Sequence, residues 1–187
     1  ILEQDSLSSQ LRNSNQKLFQ YFSKDDIMEE LLNWVLTDKY KDHPKYLKLA
    51  KAALSVFTVS KTFQRTLLEN KVFLERIQAF TKEQPNSRYC GHFARIIESI
   101  IYETKGNFLK NLDDFQSFLI DNITNIALKD LFILLSNEFA DAFNFNTELV
   151  IRLVHSMNDD NCMFIISTIR EIIENDEQSK AIFDSEE

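Results

Sequence analysis

Apolar residues recur at three- and four-residue intervals along almost the whole chain, the spacing of one face of an α-helix. Ile27, Met28, Leu31, Leu32, Trp34, Val35 and Leu36 form a broad stripe that predicts a helix over 25–38, and Ser23 with Asp26 has the S-x-x-D form of a capping signal. After the loop "DKYKDHPKY", Pro44 stands near the start of the next helix. There Leu47, Ala50, Leu54 and Phe57 make one face, and Leu49, Ala53 and Val56 a second. Shorter helices are predicted over 60–68 and 71–81, the latter ended at Pro85. Phe93, Ile96, Ile97, Ile100 and Ile101 mark a helix over 88–104 closed by Gly106. The Asp113–Asp114 pair is placed to cap a short helix through Phe115, Phe118 and Leu119, and an apolar helix follows over 122–139. Leu149, Val150, Leu153, Val154 and Met157 make a further stripe. A last one, Cys162, Ile165, Ile166, Ile169, Ile172 and Ile173, stands behind Asp159–Asp160.

These helices fall into groups. A short pair leads to a long apolar helix that ends near 38, again near 82 and again near 138, with a partial unit after it. That spacing is close to the period of armadillo and HEAT-type repeats, whose helices are covered on two sides and so carry wide stripes. The expectation is an all-α, armadillo/HEAT-like α-solenoid over 1–187 as a single helical repeat domain. An irregular helical bundle is the alternative.

One residue interrupts the pattern. On a 100° wheel Asp130 lies among Ile123, Ile126 and Leu134, while Asn125, Lys129 and Ser136 share the opposite face. This places a carboxylate against an apolar layer. It would need a hydrogen bond or an ion pair there, from the open start of a neighbouring helix or from Arg95.

Composition narrows the class. Two Gly and two Pro leave few residues for hairpin turns, which favours helices. The two cysteines, Cys90 and Cys162, are too few for a disulfide framework and fit reduced thiols in a cytoplasmic or nuclear protein. No stretch approaches a membrane span. The first residue is Ile1, and the acidic Glu3 and Asp5 behind it are unlike the basic start of a signal peptide. Charge is unevenly spread: counted over Lys, Arg, Asp and Glu, residues 1–38 carry −4, 39–110 carry +8 and 111–187 carry −12. The basic residues of the middle stand singly and without a stacking motif, a poor match to a nucleic-acid surface.

No nucleotide loop, HExxH, GxSxG, CxxC or paired-glycine fingerprint is present, so nothing marks an enzyme or a cofactor site. Cys90 and His92 in "YCGHF" could supply two metal ligands where a structural zinc needs four. The simpler reading is a helix start in which Cys90 packs and Gly91 allows close approach. His155 lies beside its stripe with no nucleophile signalled nearby. Trp34, the single tryptophan, is either a core anchor or an interface anchor.

The opening "ILEQDSLSSQLRNSNQKLFQYFSKDDIMEELLNWVLTD" resembles the start of SAPS-domain proteins, regulatory subunits of protein phosphatase 6-type serine/threonine phosphatases. Asn15, Lys17 and Leu18 match an N-x-K/R-L step, and Leu31, Leu32, Val35 and Thr37 match the helix and threonine-acidic tail that follow. The run from "YCGHFARII" to "ALKDLFILLSNE" is similar in order to the middle of that domain, with Gly91, Phe93, Ala127, Asp130, Leu131 and Leu135 at corresponding places. Asn122 stands where the family has a histidine, and the D-L-L-L step reads Asp130, Leu131, Phe132, Ile133. The family domain is also longer than this chain, so the resemblance implies either its N-terminal part or a shortened relative.

It further implies a non-catalytic scaffold that binds a serine/threonine phosphatase catalytic subunit and directs its targeting or substrate choice. The residues proposed for partner binding are Trp34, Lys41, Lys45, Lys48, Arg95 and Asp130, with no cofactor. The runner-up is an armadillo-like adaptor that holds another protein or a peptide in a concave groove.

Overall fold

A computed structural model describes residues 1–4, 6–83 and 86–175, and among these the chain is all-helical. It divides into two compact units, Ile1–Leu112 and Asp113–Glu187. The basic segment thus lies within the first unit, and the acidic one falls almost entirely in the second.

The first unit holds α1 (Leu7–Arg12), α2 (Gln16–Phe22), α3 (Asp25–Leu36), α4 (Tyr46–Thr58), α5 (Lys61–Leu67), α6 (Lys71–Phe80), α7 (Ser87–Thr104) and a 3₁₀ turn at Asn107–Asn111. The longest, α7, packs on α3, α4, α5 and the 3₁₀ turn, and α3 also packs on α2, α4 and α6. Phenylalanines join these layers. Phe19 and Phe22 meet Phe63, Phe57 meets Phe73, Phe73 meets Phe108, and Phe80 stacks on Phe93 at 4.4 Å between centroids. Most of these rings are fully buried, and truncating such a ring to Ala costs about 3–5 kcal/mol.

The second unit holds α8 (Phe115–Asp121), α9 (Ile126–Glu138), α10 (Ala140–Phe143), α11 (Thr147–His155) and α12 (Cys162–Asn175). Here α9 packs on α8, α10 and α12, and α11 packs on α12. Only Leu149 and Leu153 of α11 are buried, and Val154 and Met157 of its expected stripe face solvent, as does Ile166 of α12.

Asparagine starts many of these helices. The Oδ1 atoms of Asn15, Asn70, Asn86, Asn125 and Asn146 accept from the first backbone N–H groups of α2, α6, α7, α9 and α11, and Ser60 Oγ does the same for α5. The expected signal at Ser23–Asp26 does not operate this way. Lys24 is the N-cap of α3 with no side-chain bond, Ser23 ends α2, and Asp25 and Asp26 instead put negative charge in the first turn, where the helix dipole favours it. Asp114 likewise precedes α8 in a left-handed conformation without a side-chain cap. The end of α7 is closed as expected, Gly106 N–H donating to the Ile101 carbonyl at 3.0 Å, although Lys105 also adopts positive φ. The expected stop at Pro85 lies outside the described residues.

The ends of α3, α4 and α10 are closed with the help of side chains from neighbouring helices. His92 Nδ1 of α7 lies 2.8 Å from the Val35 carbonyl, Arg76 of α6 donates to the Leu36 carbonyl, and Thr37 Oγ1 to that of Asn33, so the end of α3 is capped three ways. Gln64 Nε2 of α5 and Ser99 Oγ of α7 donate to the Phe57 and Thr58 carbonyls of α4, and Gln116 donates to the Phe143 carbonyl of α10. In a chain with two glycines, side chains of neighbouring helices take the place of glycine caps.

Candidate functional site

The candidate residues occupy three separate places. The first is the loop between α3 and α4. Trp34 is buried at 7% exposure, its ring stacked on Tyr40 at 4.2 Å, with the His43 edge at 5.3 Å and Tyr46 at 6.2 Å. Tyr40 OH donates to Glu30 at 2.6 Å, and Tyr89 OH donates to Asp38 at 2.6 Å. Burial and the Asp38 carboxylate push the Tyr89 phenol above its ordinary value. The loop is therefore pinned to α3 and α7 with Trp34 beneath it, while Lys41, Lys45 and Lys48 point outward and are exposed. Lys45 pairs with Glu3 at 2.9 Å, and this bond holds the Glu3 carboxyl below its usual range. Leu47, expected on a packed face, is 74% exposed beside Lys48, because the buried side of α4 is the one through Leu49, Ala50, Ala53 and Phe57.

The second place is a groove of about 500 Å³ in the first unit, where the end of α4 and α5 meet the outer face of α7. Arg95 is exposed on its wall beside Glu98, Tyr102 and Glu103, and Thr58, Lys61, Gln64 and Ser99 complete it. Arg65 binds Glu103 at the rim. Gln64 is 2% exposed, held through Nε2 by the Phe57 carbonyl at 3.0 Å and Ser99 Oγ at 2.5 Å. Sequence reasoning passed over Gln64; its one signal is a polar residue at helical spacing beside the apolar Phe63 and Leu67.

The third place, in the second unit, corrects the expectation for Asp130. Asp130 is exposed, and so is Ile126 at 67%, whereas Leu128, Leu131, Phe132, Leu135 and Ser136 are buried. Apolar residues lie nearly all round α9, and the helix turns its Leu128–Leu135 face inward, about 180° from the face expected. Ser136 satisfies its buried hydroxyl on the Phe132 carbonyl at 2.9 Å, so a polar residue on that face costs little. Asp130 makes no ion pair among the described residues. It lines a groove of about 440 Å³ with Ile133, Leu134, Asn137, Glu138 and Glu171. The half-buried ion is Lys129, paired with Glu171 at 2.8 Å; this bond and Ser167 Oγ hold the Glu171 carboxyl below its ordinary value, against the opposing effect of burial.

Cys90 is buried, which raises its thiol pKa, and His92 beside it is engaged with the Val35 carbonyl rather than held as a ligand. A carbonyl can only accept, so Nδ1 carries the proton. Gly91 admits no close approach: a Cβ built there meets nothing within 4 Å. Among the described residues no group of three or more His, Cys, Asp or Glu is placed to hold a metal, and no helix is long and apolar enough to cross a membrane.

Two curated proteins from Xenopus laevis are similar to the chain. Serine/threonine-protein phosphatase 6 regulatory subunit 3-B is 22% identical over 141 residues, covering 71% of this chain and 17% of that protein. Regulatory subunit 3-A is also 22% identical over 141 residues, covering 16% of its own length. The chain thus spans about a sixth of the relatives it matches. No family model and no solved structure matches it.

Proposed function

We propose that this chain is part of a non-catalytic regulatory subunit that binds a serine/threonine phosphatase catalytic subunit and directs its targeting or substrate choice in the cytoplasm or nucleus. The observation that carries the reading is the similarity to two phosphatase 6 regulatory subunits over 71% of the chain. The residues that suggested the resemblance are mostly framework: Asn15 caps α2, Leu18, Leu31, Leu32 and Val35 are buried, and Thr37 closes α3. A shared order of such residues supports a shared fold, and in that fold we place the helices in an armadillo/HEAT-like solenoid, a single repeat domain that is the N-terminal part of a longer one.

Contact with the catalytic subunit then falls to side chains that the framework leaves outside. In the first unit these are Lys41, Lys45, Lys48 and Arg95, with Trp34 as the anchor that holds the Lys41-bearing loop in shape; in the second, Asp130. Exposed charges of this kind raise association rate and orient a partner more than they add affinity. Hydrolysis belongs to the partner.

The test is affinity capture of the tagged chain from cells followed by mass spectrometry. A phosphatase catalytic subunit enriched by the parent chain, and reduced by charge reversal at Lys41, Lys45 and Lys48, is the expected result. Capture without any such catalytic subunit would overturn the reading.

A further inference from the structure

We infer that the α5/α7 groove is a binding site for an extended peptide segment that carries an acidic side chain. The inference stands on the groove alone and does not need the phosphatase reading.

The charges of the groove are unbalanced. Lys61 and Arg95 are both exposed, and neither is ion-paired among the described residues, whereas the Glu103 carboxylate is already taken by Arg65. Glu98 is the competing carboxylate, one turn from Arg95 on the same helix, yet it forms no ion pair with Arg95. An incoming carboxylate can therefore take the guanidinium in a two-bond fork, with Lys61 adding a second positive charge.

The floor supplies a hydrogen-bond acceptor. The Phe57 carbonyl accepts from Gln64 Nε2, and since a carbonyl can only accept, the amide orientation is fixed and Oε1 is the remaining acceptor. Gln64 Oε1 takes no hydrogen bond from the described residues, and since it is not among the fully buried unpaired atoms it stays open to a donor in the groove. A peptide backbone N–H laid along the groove can donate to Oε1, while a side-chain carboxylate of the same segment engages Arg95 on the wall. Tyr102, 47% exposed, offers an aromatic wall for a neighbouring apolar side chain. A volume of about 500 Å³ holds a few residues of extended chain.

The experiment uses the full 187-residue chain and blocked ten-residue peptides whose residues are uncharged except for a central Glu-Glu or Lys-Lys pair, all carrying the same fluorescein label and followed by anisotropy. The Glu-Glu peptide is expected to bind at least about tenfold more tightly than the Lys-Lys peptide, and R95E and K61E each to weaken it about tenfold. Both positions are exposed, so the thermal melts of these variants should match the parent. N-methylation of one backbone amide beside the Glu pair should weaken binding comparably, and backbone amide shifts on titration should cluster in α5 and α7. Equal binding of the two peptides, unchanged affinity of R95E, or shifts confined to other helices would overturn the inference. Failure to capture a phosphatase from cells would leave this result untouched, which keeps the two readings separable.

Discussion

His92 of α7 donates from Nδ1 to the carbonyl oxygen of Val35 in α3, at 2.8 Å and across fifty-seven residues of sequence. The bond closes a helix end that has no glycine and ties α3 to α7, the two helices on which the first unit is assembled. His92→Ala leaves the buried Val35 carbonyl without that donor, and the expected loss is about 1–2 kcal/mol, read as a lower midpoint in urea with unchanged slope. An unchanged midpoint would show that water replaces the imidazole without cost.

The residue before it should behave in the opposite sense. Gly91 sits inside α7 with open space around a built Cβ. Gly91→Ala is therefore expected to raise stability by about 0.5–1 kcal/mol, by reducing the freedom of the unfolded chain. A loss of stability would mean that the helix needs close approach there after all.

Asp130→Ala is expected to change stability by no more than about 0.5 kcal/mol, since the carboxylate is solvent-exposed. Leu131→Ala, one residue along on the buried face, should cost about 2–5 kcal/mol. Comparable losses at both positions would restore the inward orientation that the sequence suggests.

Glu171 ties α12 to α9 through Lys129, with its pKa lowered from an ordinary value of 4.5. A carboxyl whose folded pKa is depressed contributes stability above its unfolded pKa and loses it as pH falls through the folded one. The contribution is thus present above about pH 4.5 and disappears below it. Glu171 is about two-fifths exposed, so solvent screening keeps the pair below about 1 kcal/mol. Glu171→Gln should melt lower than the parent at pH 7, and the difference should close as the pH falls below 4. A difference that persists at pH 3 would assign the effect to packing.

Much of this fold is written in apolar spacing, because a helix must bury one stripe and the stripe repeats at the helical period. The helix interiors at 25–38, 60–68, 71–81 and 88–104, the closure at Gly106 and the exposed lysines at 41, 45 and 48 all follow from that period and from the cost of burying charge. The sequence alone could not choose the inward face of α9, since apolar residues surround it; packing against α8, α10 and α12 chose, and with that choice Asp130 moved to solvent and Lys129 became the half-buried ion. Nor could it show that His92, Arg76, Gln64 and Ser99 close the ends of α3 and α4, or that Gln64 floors a groove beside Arg95. Those bonds join residues 7 to 57 positions apart, and only the folded arrangement of the helices brings such donors to the open carbonyls they serve.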